Sequence, residues 1–76
     1  MTDAEMQRAI EQIEALIDSR GLSFVVDYVA EICLNKADHV LDNWLDRQAY
    51  EAWLEASNQL ARIAQRKAIT AVDPHY

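Results

Sequence analysis

Seventy-six residues with thirteen acidic and seven basic side chains, formal charge −6, allow one domain and disfavour nucleic acid and anionic membranes as direct partners. A chain this short has a folding balance near zero, so a disulfide, a metal, close helix packing or self-association has to supplement its core. Its single cysteine, Cys33, excludes an internal disulfide and fits a reducing compartment.

The first predicted helix opens with Thr2 and Glu5 in capping-box spacing, with Met1 and Met6 placed for a hydrophobic staple. Met6, Ala9, Ile10, Ile13, Leu16 and Ile17 recur at steps of three and four, opposite Glu11, Glu14 and Asp18. This helix spans residues 3–20. Arg20 and Gly21 supply a last-turn cation and a left-handed cap, with Leu22 folding back in the Schellman manner.

Ser23 is the expected N-cap of a second helix over 23–43, whose Val25, Val26, Val29, Cys33, Ala37, Val40 and Trp44 share one side. Ile32 and Leu41 broaden that side into an arc wide enough to touch two neighbours. Asp27, Glu31, Asn35, Asp38 and Asp42 form a polar ridge opposite.

No glycine or proline interrupts residues 23–73, yet the apolar stripe changes sides near residue 45. Continued as one helix, Ala49, Trp53, Ala56, Leu60 and Ile63 would project on the side of the acidic ridge. The chain therefore turns at 43–46, with Asp46 capping a third helix over 47–69 and Leu45 stapled against Tyr50. Arg62, Arg66 and Lys67 complement the dipole of its final turns, and Asp73-Pro74 marks the end of ordered chain. Two short connections imply antiparallel neighbours, hence an all-α, up-down-up three-helix bundle in one domain of residues 1–70, with 71–76 as a mobile tail.

The N-terminal residues lack the basic start and apolar core of a signal peptide, and no apolar run approaches membrane-spanning length, so a cytoplasmic location is expected. Charge is uneven: residues 1–55 hold twelve acids and four bases, net −8, and residues 56–76 hold three bases and one acid, net +2.

One glycine, used at a helix cap, excludes the dinucleotide fingerprint, the P-loop and the nucleophile elbow. No Cys-x-x-Cys, His-Glu-x-x-His or calcium-loop pattern is present, so neither cofactor nor metal is expected, and no catalysis. Cys33, Lys36 and His39 lie three apart on the second helix. An ammonium beside a thiol favours thiolate, which makes these three a candidate reactive or redox-sensing site, although a lone cysteine is more often an apolar filler. His39 and Asp42 alone are too few for a metal site. Trp44 and Trp53 are expected as core aromatics near the turn, with Asn43 and Asp46 accepting from their indole N–H groups.

Two surfaces stand out as candidate interfaces. On the third helix Tyr50, Leu54, Ser57, Ala61, Ala64 and Ala68 form a second row beside the core stripe, either covered by rotation of the bundle or left as an apolar strip for self-association. The acidic face of Asp27, Glu31, Asp38 and Asp42 suits a partner with a basic surface, though such a run also serves as a solvated face.

The run Cys33-Leu34-Asn35-Lys36-Ala37-Asp38-His39, then Asn43-Trp44-Leu45-Asp46 and Trp53, resembles short, uncharacterised bacterial all-helical proteins. The resemblance implies an all-α fold and attaches no function. Together these features describe a small acidic protein-interaction module, non-catalytic and homodimeric. The alternatives are an acidic inhibitor mimicking nucleic-acid charge and a thiol redox sensor built on Cys33.

Overall fold

The computed structural model describes residues 2–73, which form helices α1 (Asp3–Arg20), α2 (Leu22–Trp44) and α3 (Arg47–Ala64) and one helical turn, α4 (Lys67–Thr70). No strand occurs among the described residues. Local chemistry explains most of the boundaries. Thr2 Oγ1 accepts from the Glu5 N–H at 3.1 Å, and Asp46 Oδ1 accepts from the Ala49 N–H at 3.0 Å, so side-chain oxygens occupy donors that the helix leaves unpaired.

The chain doubles back just after Trp44, as the phase change of the apolar stripe requires. Leu45 makes the reversal with φ 51° and ψ 32°, a left-handed conformation unfavourable for a side chain with a Cβ. Leu45 is 82% exposed, so the expected staple against Tyr50 does not form. Replacing it should therefore cost little packing. Leu45→Asn, which tolerates this backbone better, is expected to raise stability by about 0.5–1 kcal/mol in urea unfolding. A loss of stability would show that Leu45 packs after all.

Small residues bring α2 and α3 together. Among the described residues, Val25, Ala30, Cys33 and Ala37 of α2 and Ser57 and Ala64 of α3 are the buried side chains, and Ala37 has no exposed surface. The Ser57 hydroxyl donates to the Ala30 carbonyl at 2.8 Å, so a helix backbone lies within reach of a two-atom side chain. Such closeness needs residues with almost no side chain at the contact. Tyr50, Leu54 and Ala61 flank this seam on one side and Ala49, Ala56, Leu60 and Ile63 on the other, all half-buried.

α3 ends at Ala64 instead of continuing to Ile69. Arg66 is extended, with φ −69° and ψ 143°, and α4 then turns the chain toward the start of α2. There the Asp73 carboxylate accepts the Ser23 N–H through Oδ1 at 3.0 Å and the Ser23 hydroxyl through Oδ2. Ser23 is thus inside α2 and is not its N-cap. The cap position is Gly21, which has no side chain, and a carboxylate fifty residues away supplies the acceptor and the negative charge favoured at a helix N-terminus. Residues 71–73 are accordingly not a free tail; Pro74, His75 and Tyr76, like Met1, lie outside the described residues.

α1 departs furthest from the expected bundle. It contacts α2 much less than α3 does, touches neither α3 nor α4, and contains no buried residue. The cause is the connection. Gly21 alone joins α1 to α2, with φ 101° and ψ 151°, a region open to glycine only, while its N–H donates to the Ile17 carbonyl at 2.8 Å. Leu22 starts α2 at once, so no Schellman closure follows. Helices that lie side by side antiparallel need a loop of about 2–5 residues, and one residue sends α1 outward. The radius of gyration is 14.8 Å, against about 11 Å for a compact chain of this length. The up-down-up closure is therefore replaced by an α2–α3 hairpin with α1 projecting from it, spread over 42 × 34 × 16 Å.

Candidate functional site

The periodicity that makes α1 a helix also concentrates its apolar residues on one face, and none of the described residues covers that face. Met6, Ile10, Ile13 and Leu16 are each between 46% and 50% exposed. Ile17, next to the hinge, is half-buried. An open groove of about 370 Å³ is lined by the apolar Ile10, Ile13 and Ile17 and by two carboxylate residues, Glu14 and Asp18.

α2 contributes a second uncovered face. Its seam with α3 uses Ala30, Cys33 and Ala37, whereas Phe24, Tyr28, Val29 and Ile32 are all exposed. The spacing Phe24, Tyr28, Ile32 is a step of four repeated twice, a row on one side of a helix. Sequence reasoning counted Ile32 and Val29 in the broad arc but passed over Phe24 and Tyr28; that step of four was the available signal.

The helix 3 row is placed differently from the free apolar strip anticipated for it. Ser57 and Ala64 are buried, Tyr50, Leu54 and Ala61 are half-buried, and only Ala68, now in α4, is exposed. The row is used within the chain because its small residues, not the larger stripe beside it, permit close approach to α2. The acidic face is as expected for a surface: Asp27, Glu31, Asp38 and Asp42 are all exposed.

Cys33 is buried in the α2–α3 seam, while Lys36 and His39 are exposed. Burial takes the thiol away from solvent, a placement that suits a small apolar side chain. His39 Nδ1 lies 3.1 Å from Asn43 Nδ2, which also donates to the His39 carbonyl at 3.0 Å. Among the described residues no three His, Cys, Asp or Glu side chains converge on one point.

Trp44 is 73% exposed and Trp53 is also exposed, contrary to their expected place in the core. With the reversal tightened onto Leu45 and the seam made of alanines, the tip of the hairpin has no room to enclose an indole. Asn43 Nδ2 bonds His39 and Asp46 Oδ1 caps α3, and the exposed indoles do not require acceptors from either residue. No helix among the described residues is long and apolar enough to cross a membrane.

No family model matches the chain, and no characterised protein or solved structure is similar enough to be matched.

Proposed function

We propose that this chain is a non-catalytic protein-interaction module that docks protein on the uncovered apolar faces of α1 and the N-terminal half of α2. The observation that supports this reading is that an 18-residue helix with a continuous apolar stripe buries no residue. Most helical stability in proteins comes from packing of the apolar face, and α1 packs little of its own within the chain. Contiguous exposed apolar surface of this kind marks interaction sites in soluble chains. The α3 row is used within the chain, where Ser57 and Ala64 are buried, so the docking role falls to α1 and α2.

A photo-crosslinking amino acid placed at Ile13 is expected to capture protein, the same group at Glu11 on the opposite face much less. No product at either position would reject the reading. The exposed carboxylates of α2 favour one further contact, a basic partner surface or the groove that a nucleic-acid mimic would block. Binding of that kind weakens steeply with salt, whereas packing on Ile10 and Ile13 does not.

A further inference from the structure

We infer that the occupant of both faces is a second copy of this chain, with α1 of each copy lying antiparallel along α2 of the other, exchanged about Gly21. The inference rests on the docking reading above and names its partner.

Three observations lead to it. Exposed apolar residues of the two faces fall level with one another: counting outward from Gly21, Ile13 is level with Val29, Ile10 with Ile32, and Met6 with Lys36, whose methylene stem extends an apolar surface, while Val25, level with Ile17, is already buried within the chain. They cannot meet within one copy, because a single residue joins the helices and an antiparallel pair needs a longer loop. Short hinges of this type favour exchange of an element between identical chains, a route in which every contact is used twice.

Area agrees. The chain exposes 6067 Å², about 1,300 Å² more than a compact monomer of its mass. Removing that excess from each of two copies totals about 2,600 Å², within the range of obligate homodimers. A foreign partner would have to supply both a stripe and a face to receive one, whereas a second copy already contains both.

The test combines solution mass with disulfide trapping. The unmodified chain is expected to sediment at twice its 8.7 kDa mass, and Ile13→Asp to weaken association about 100-fold. Ile10→Cys with Ile32→Cys, in a Cys33→Ser background, is expected to oxidise to a covalent dimer on a non-reducing gel. A native monomer whose α1 amides exchange freely overturns the second copy and leaves α1 open to another protein. A disulfide within one chain in a monomer overturns both proposals, since the faces would then cover each other. A native dimer indifferent to Ile13→Asp overturns the exchange, and it does so whether or not the cysteine variant folds.

Discussion

Ala37→Leu is expected to remove about 3 kcal/mol of stability, most of what a domain of this size holds. Ala37 is the one side chain among the described residues with no exposed surface, and it sits on the side of α2 that meets α3. The Ser57 hydroxyl reaches the Ala30 carbonyl at 2.8 Å only because the two helices are held close by alanine, cysteine and serine. Three added carbons have no void to enter, so the helices must separate and the buried hydrogen bond lengthens or breaks. Asp38→Ala, one position away and exposed, should change stability by no more than about 0.5 kcal/mol. Urea unfolding of both variants decides the matter, and an Ala37→Leu chain as stable as its parent would show that α2 and α3 are not in close contact.

Asp73→Ala is expected to cost about 2 kcal/mol and to lower the melting temperature by about 10 °C. Its carboxylate accepts both the backbone N–H and the hydroxyl of Ser23, at the end of a helix whose own cap residue is glycine. Bonds to a charged acceptor contribute more than neutral ones, and this pair also ties α4 and the chain after it to α2. The signature that separates capping from a general surface effect is coupling. Ser23→Ala should be costly in the parent chain and nearly silent in the Asp73→Ala background, and additive losses would reject the clasp. Hydrogen exchange should rise in the first turn of α2 and in residues 67–73 together.

Both predictions concern contacts between residues distant in the chain, and neither was visible as such in the amino-acid order. Ser23 looks like an N-cap by residue type, and the Asp73-Pro74 pair looks like the end of ordered chain. Tertiary contact reverses both roles: Ser23 donates from inside the helix and Asp73 does the capping. The α3 row is a similar case. Tyr50, Leu54, Ser57, Ala61 and Ala64 were recognisable as one side of a helix, but periodicity cannot say whether small or large residues will take the inner position. The seam with Ala30 and Ala37 selects the small ones, since alanine opposite serine permits closer approach than tryptophan opposite leucine.

What the amino-acid order by itself determined is the set of helices and most of their ends. Thr2, Gly21 and Asp46 act within one turn of the backbone groups they serve, and apolar spacing repeats every three or four residues, so both signals are local. The reversal after Trp44 belongs here too, because a stripe that changes sides cannot be packed by one straight helix. The tertiary structure alone decided which faces meet: that α3 lies on α2 through its small residues, that its last turns break to deliver Asp73 to Ser23, and that α1 stands apart with its stripe uncovered. Those outcomes depend on the geometry of a one-residue hinge and on the fit of surfaces brought together from distant positions, and hydrophobic burial, being non-directional, does not choose among equally apolar neighbours until that geometry is set.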